Sequence, residues 1–450
     1  MRAMRRARSR RVVGAVLVAL VVAGGALRLA ASSDPGHRLF PDEQSYGRLA
    51  TGLAERGDYG DPRLGDRTRW APGAPVAFAA AERLLPAGRA SQPHEVPAAR
   101  TAQALIGTLM IPAAFGLAAL IAGPGAGLAA AAAIALFPPL ITVSRYQISE
   151  PPAALLVLLG MLALANACAR GAARAGWAAA AGALLGLAVL TRADLLLPVL
   201  VAGPALWLVT RRTAGVRPAA ALTAGVLVVI LPWVAFASVN RGRLVPVSGG
   251  GPGTLFIGTY LPGEGTVVGF KRGLAGEARA HAPDLRDVDP LRMPAGRVLD
   301  AVAARRPAEP RDAALMAEAL ANVRRYALGD PPGYAGMTLR KVERLWSRPF
   351  QTPQPALIAI HLALLVAGLA GLVLGVLRRE PVAVVLAAIV ALSTLDNMVL
   401  VPEPRHNMPL FAALVAVGAA GIAARLRRGG SDPVAEDSGA PAVPAGAPQG

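Results

Sequence analysis

Residues 12–31 read VVGAVLVALVVAGGALRLAA, and shortly afterwards the chain reads Leu39-Phe40-Pro41-Asp42-Glu43-Gln44-Ser45-Tyr46. The first stretch, apolar but for Arg28, has the length that crosses a bilayer, since about 20 such residues in a helix span a hydrocarbon core about 30 Å thick. Comparable runs follow near 100–122, 126–143, 151–168, 176–191, 195–210, 218–238, 356–377, 381–400 and 407–424. The composition agrees: 54% of the 450 residues are hydrophobic and 16% are charged, against about 25% charged in an average soluble chain. Soluble classes are excluded. The expected fold is all-α, a polytopic integral membrane protein with a bundle of about ten transmembrane helices.

The charge pattern orients these spans. Six arginines between Arg2 and Arg11 precede the first one, so this head, residues 1–11, is expected in the cytoplasm. Alternation from there places Arg170 and Arg174, then Arg211, Arg212 and Arg217, then Arg378 and Arg379, and finally Arg425, Arg427 and Arg428 on the same side. The net charge of +18 is therefore read as membrane topology, with membrane lipids and not nucleic acid as the partner. Of the 46 basic residues only Lys271 and Lys341 are lysine. That excess of Arg, with Ala and Gly, is the bias of a G+C-rich bacterial genome, which makes the expected location a bacterial plasma membrane. The single cysteine, Cys168, excludes an intramolecular disulfide framework and a cysteine-built metal cluster.

Two long segments, 32–99 and 239–355, then face outward. In the second, helices are expected near 295–306, 310–328 and 336–347, the last presenting Leu339, Val342, Leu345 and Trp346 to the membrane. The glycines Gly249, Gly250, Gly251 and Gly253 lack the context of a phosphate loop and read as a flexible turn. Residues 12–425 form the membrane domain, and the Gly-, Pro- and Ala-rich stretch 426–450 reads as a disordered cytoplasmic tail.

Chemistry concentrates at the outer membrane edge. Asp42 and Glu43 open an amphipathic helix in which Tyr46, Leu49, Ala50 and Leu53 recur at helical spacing. A carboxylate fixed there suits proton abstraction from a hydroxyl while a lipid-borne donor approaches from the bilayer. An Asp after Pro is equally suited to capping the helix, with Glu in its first turn favoured by the dipole. Arg100, Arg145, Arg192 and Arg405 also fall near the outer face. Guanidinium groups converging from distant parts of the chain suit a lipid phosphate, while pairs such as Arg145 with Glu150 or Arg192 with Asp194 suit structural bridging. The five histidines show no metal-ligand spacing. Asp396 and Asn397 suit either a polar cavity or a helix–helix hydrogen bond.

In their order these features resemble the membrane glycosyltransferases of the C-type fold (GT-C), especially bacterial relatives of protein O-mannosyltransferases and of lipid A aminoarabinose transferases. The resemblance runs through most of residues 10–425. It rests on Pro41-Asp42-Glu43-Gln44-Ser45-Tyr46, Arg69-Trp70-Ala71-Pro72-Gly73-Ala74-Pro75, Arg100 with Ile106-Gly107, Ser149-Glu150, Gly186 through Arg192, Pro232-Trp233, Asn240 through Ser248, and Glu403-Pro404-Arg405-His406. It implies a GT-C-like bundle with two extracytoplasmic loops, a polyprenyl-phosphate-linked sugar as donor, and inverting transfer to a hydroxyl acceptor on the outward face. Carried to matching positions, Asp42 is the general base, and Glu43 organises the site or contributes to a divalent metal position that only some relatives use. Arg100 and Arg405 bind donor phosphate, with Arg192, Glu150 and Tyr46 in support. One departure stands at Arg405-His406, where relatives usually carry Arg-Tyr. The main rival is a transporter or flippase of lipid-linked sugars, though such proteins more often show inverted halves and helices interrupted at mid-membrane.

Overall fold

The computed structural model describes residues 2–33, 38–60, 68–85, 90–169, 174–350 and 354–429. Among them the chain is helical, with no strand. In chain order the helices are α1 (Arg2–Ser32), α2 (Pro41–Arg56), α3 (Gly73–Leu84), α4 (Pro97–Ala122), α5 (Pro124–Leu136), α6 (Pro138–Thr142), α7 (Glu150–Ala169), α8 (Arg174–Thr191), α9 (Leu196–Leu200) and α10 (Ala202–Thr210). Then come α11 (Arg217–Arg241), α12 (Gly251–Thr259), α13 (Val267–Gly273), α14 (Ala275–His281), α15 (Ala295–Ala303), α16 (Arg311–Asn322), α17 (Pro331–Ser347), α18 (Pro355–Leu377), α19 (Pro381–Val399) and α20 (Met408–Gly429).

All ten apolar runs form helices, but not ten equal spans. Eight are long and apolar enough to cross a membrane: Ser9–Ser32, Pro97–Ala122, Glu150–Ala169, Ala193–Thr210, Arg217–Arg241, Pro355–Leu377, Pro381–Val399 and Pro404–Arg427. The expected span at 176–191 is a shorter apolar helix, Ala175–Thr191. The one expected at 126–143 is broken, with a 60° bend between Pro124–Leu136 and Pro138–Arg145. The basic head is no separate segment, since α1 runs unbroken from Arg2 into the first span. Residues 430–450 of the expected tail lie outside the described residues.

The break has a local cause. In an α-helix the carbonyls of residues 134 and 135 accept from the N–H groups of residues 138 and 139, and both of those are proline, which has none. Arg28 of α1 supplies the missing donors. It is fully buried, and its guanidinium donates to Ile134 O at 2.7 Å, Ala135 O at 3.3 Å and Gly24 O at 3.0 Å. Gly107 on α4 leaves room for it, because a Cβ there would sit 2.7 Å from Arg28 Nε. A charged side chain inside a bundle is costly unless it meets protein acceptors, and here it takes three.

Two smaller cores flank the membrane bundle. One, with Tyr46, Ala50, Phe78, Val96 and Ala99, joins α2 and α3 to the start of α4. The other, with Phe256, Phe270, Val298, Val302 and Leu315, belongs to the second long segment and reaches Val401. The helices expected at 295–306, 310–328 and 336–347 are present as α15, α16 with a following π turn (Val323–Ala327), and α17. The expected glycine turn is corrected in part: Gly249 and Gly250 form a turn, but Gly251 and Gly253 lie within α12, with Gly253 buried against Leu299. Along the expected face of α17 the burial is mixed. Leu345 is buried but Leu339 is exposed, and the buried stripe is Met337, Lys341 and Leu345. Lys341 sets that register. Its Nζ donates to Gly258 O at 3.0 Å and Met398 O at 2.7 Å, carbonyls in the last turns of α12 and α19, where a cation is favoured. This fastens the second long segment to the bundle.

Two outcomes follow. Arg28→Leu strands two buried carbonyls at about 1–3 kcal/mol each, so the thermal midpoint of the purified protein in nanodiscs should fall well below wild type, with Arg28→Lys falling less; a wild-type midpoint for the leucine variant contradicts the bracing role. Burial, with Arg344 adding to it, pushes the Lys341 ammonium down to about 7. The folded chain then binds fewer protons than the unfolded one between that value and the ordinary lysine value, so stability contributed at this site rises with pH across the window, by roughly 1.4 kcal/mol per unit at most. Wild type should therefore gain stability relative to Lys341→Met as the pH is raised from 7 to 10, and a pH-independent difference would remove that titration.

Candidate active site

Four separate parts of the chain meet at one end of the bundle. The first is the N-terminal turn of α2. Pro41 starts this helix with its preset φ, and Asp42 and Glu43 follow in the first turn, where the dipole favours negative charge. The N-cap position is Phe40, so Asp42 is free of the capping role that the sequence left open. Glu43, fully buried, does the local holding: one carboxylate oxygen accepts from Phe40 N and the other from Gln147 N, each at 2.8 Å. Gln147 clamps the same turn with its side chain, donating to Glu43 O at 2.6 Å and His94 O at 2.9 Å and accepting from Val96 N at 2.9 Å. Gly47 permits this approach, since a Cβ there would collide with the His94 carbonyl.

With the turn fixed, Asp42 Oδ2 accepts from Arg405 Nη2 at 2.5 Å. Arg405 sits in the short 3-10 helix Pro404–Asn407 before α20. Its Nε donates to Glu403 Oε2 at 2.7 Å and lies 3.5 Å from Glu150 Oε1. The same Glu150 oxygen is 2.6 Å from Arg192 Nη1, and Arg192 closes a two-pronged pair on Asp194 at 2.7 and 3.1 Å. The result is an alternating chain, Asp194–Arg192–Glu150–Arg405–Asp42, with Glu403 as a branch. Tyr46 donates to Ser149 Oγ at 3.3 Å, and Arg192 Nη1 donates to that hydroxyl at 3.3 Å.

Burial is deepest in the middle of this chain. The side chains of Glu150 and Arg192 are 1% and 9% exposed, against 23% for Asp194 at one end and 16% and 29% for Arg405 and Asp42 at the other. Burial raises the Tyr46 hydroxyl, with Asp42 and Glu150 adding to it, which keeps the phenol protonated. Burial works against the charge on Arg192, but Asp194 and Glu150 outweigh it and hold the guanidinium charged. Burial likewise would raise Glu403, and Arg405 and His406 outweigh it, so its carboxyl stays below the ordinary range. His406 Nδ1 lies 3.4 Å from Asn397 Oδ1.

The structure thus brings together Asp42, Tyr46, Glu150, Arg192 and Arg405, all singled out in the sequence. Arg100 goes elsewhere. Its Nη2 is 2.7 Å from Glu95 Oε1, and Glu95 in turn accepts from Ser91 and Gln92, while Gln92 Oε1 accepts from Leu39 N. Arg100 therefore supports the lead-in to α2 through this loop. Arg145 lies over the Tyr146 ring at 5.7 Å. Glu403 and Gln147 were not assigned roles from the sequence. Glu403 lay in view within Pro402-Glu403-Pro404, whereas an isolated Gln in a loop carries no sequence signal.

The acidic pair does not fit a metal position. Asp42 is engaged by a guanidinium and both Glu43 oxygens take backbone amides, and among the described residues no three His, Cys, Asp or Glu side chains gather closely enough to hold an ion.

No family model matches the sequence, and comparison with curated proteins finds no match. Solved structures do match. The archaeal oligosaccharyltransferase AglB from Archaeoglobus fulgidus, in complex with an inhibitory peptide and a dolichol-phosphate, superposes with a TM-score of 0.54 at 15% identity over 93% of this chain and 51% of its own. The Archaeoglobus fulgidus oligosaccharyltransferase in the apo form gives 0.55 at 17% identity, over 92% and 51%. ArnT from Cupriavidus metallidurans bound to undecaprenyl phosphate gives 0.43 at 18% identity, over 91% and 78%. The chain spans about half the length of the oligosaccharyltransferase it matches. Across nearly its whole described length it has the fold of that enzyme's matching half, which is the C-type glycosyltransferase fold that its sequence resembles.

Proposed function

We propose that this chain is an inverting membrane glycosyltransferase, moving a sugar from a polyprenyl-phosphate donor to a hydroxyl acceptor on the extracytoplasmic face. The observation that carries this reading is the joining of Asp42, Arg405, Glu150 and Arg192 in one charge chain at one end of the bundle. The positive-inside pattern of the short basic clusters assigns that end to the outside. The AglB structure whose fold this chain shares holds a dolichol-phosphate, and a lipid phosphate of that class is the ligand brought here by the proposal.

The chemistry follows from charge. As the bond from the anomeric carbon to the phosphate oxygen breaks, the phosphodiester becomes a monoester and gains negative charge. Guanidinium groups already oriented by fixed carboxylates stabilise that charge without reorganising. Arg405 is the contact, being the more exposed arginine, and Arg192, locked by Asp194 and Glu150, supplies field behind it. The acceptor hydroxyl attacks from the opposite face of the sugar and passes its proton to the Asp42 carboxylate. Tyr46 and Ser149 hold the wall beside them. The acceptor's identity as glycan, lipid or protein is set by the two outward segments.

Labelled polyprenyl-phosphate sugars supplied as a panel to the purified chain in proteoliposomes, with envelope extract as acceptor, test the reading. Asp42→Asn should lower transfer by about 10²–10⁴-fold, the usual worth of a general base, with little change in thermal midpoint. Full transfer by the variant removes Asp42 from the chemistry, and labelled lipid crossing the bilayer without transfer replaces the transferase with a transporter.

A further inference from the structure

The proposed reaction sets a geometric demand that the contact between Asp42 and Arg405 does not meet. In an inverting displacement the base and the leaving phosphate lie on opposite faces of the anomeric carbon. Asp42 must reach the acceptor's hydroxyl proton, and Arg405 must reach the departing oxygen, each over about 3 Å, with the sugar carbon between them. Here their side chains touch at 2.5 Å. The two groups cannot serve the reaction until that ion pair opens.

The surroundings specify how it opens. Arg405 is held twice besides, by Glu403 on Nε at 2.7 Å and by Glu150 at 3.5 Å, so loss of Asp42 leaves the guanidinium in place. Asp42 has no such second anchor: among the described residues its carboxylate meets only Arg405, and its helix is fixed independently by Glu43 and Gln147. The pair is also accessible, whereas Arg192 and Glu150 are shut away. An incoming anion therefore meets a guanidinium whose position is secured and one carboxylate that is free to leave.

Resting on the transferase reading above, we infer that the donor phosphate enters by ion-pair exchange: it takes Arg405 Nη2 from Asp42, and donor binding itself releases the base for the acceptor. Glu403 is then a positioning residue, acting through Arg405. The exchange orders the reaction, because the carboxylate becomes available only once the leaving group is bound, and it keeps Asp42 occupied when no donor is present.

The probe is farnesyl phosphate, a prenyl monophosphate without sugar, titrated into the full chain in nanodiscs. Arg405→Ala should lose binding. Asp42→Asn, which removes the competitor and keeps the shape, should bind about tenfold more tightly than wild type. Glu403→Gln removes an equal charge from the other side of Arg405 and should bind no more tightly than wild type. Unchanged or weaker binding by Asp42→Asn overturns the exchange, and so does equal tightening in the two variants, which assigns the effect to net charge. If Arg405→Ala binds as wild type does, the phosphate contact of the transferase reading fails, and the exchange with it. A measurement on the wild-type chain stands apart from any variant's folding: carbodiimide modification of Asp42, followed by mass spectrometry, should rise severalfold when farnesyl phosphate is added, and an unchanged yield contradicts the release.

Discussion

The end of the bundle that holds the candidate site depends on one buried carboxylate shared by two guanidinium groups. Glu150, at the first residue of α7, lies between Arg192 and Arg405, which come from the turn after α8 and the turn before α20. Burying such charges costs several kcal/mol each, and the cost is recovered only when partners are close and their remaining hydrogen-bonding capacity is met. Asp194, Glu403 and Asp42 provide those further partners. Because the ends of several helices must arrive together for the charges to be balanced, the network ties the local geometry of the site to the packing of the bundle. Loss of Glu150 leaves both guanidinium groups short of a partner, whereas Arg405 keeps Glu403 and Glu150 when Asp42 is changed.

The same logic recurs where the bundle departs from regular helix. Arg28 replaces the donors that Pro138 and Pro139 lack, and Lys341 meets the carbonyl ends of α12 and α19. In each case a cation answers backbone carbonyls that the helix itself leaves open. These two residues brace the bundle and the segment that carries α12 to α17, and the charge chain lies between the start of α2 and the start of α20. Cations serve both support and chemistry here, and what separates the roles is access: Arg28 and Lys341 are fully buried, while Arg405 and Asp42 reach the surface.

Much of the fold was legible because its signal is one-dimensional. A run of apolar residues of bilayer length is visible without knowing its neighbours, and every such run became a helix. What was hidden depended on partners. The bend after Leu136 follows from Pro138-Pro139, but its stability follows from Arg28, an arginine in another span. Gly249 and Gly250 form the turn that glycine favours, while Gly251 and Gly253 belong to α12, where Gly253 packs against Leu299. On α17 a lysine, Lys341, shares the buried stripe with Met337 and Leu345, because it finds two carbonyls. For the site, the sequence singled out Asp42, Tyr46, Glu150, Arg192 and Arg405 but carried no information on their convergence, and Arg100, equally plausible by position, is drawn off by Glu95.

In the proposed transferase, Arg405, in its accessible pair with Asp42, holds the lipid phosphate. A cryo-EM structure of the full chain in nanodiscs with a bound polyprenyl phosphate tests it most directly. The prediction is phosphate density in hydrogen-bond contact with Arg405, with Arg192 and Glu150 unmoved and Asp42 separated from the guanidinium. Phosphate density remote from Arg405, with the Asp42–Arg405 pair intact, would contradict it.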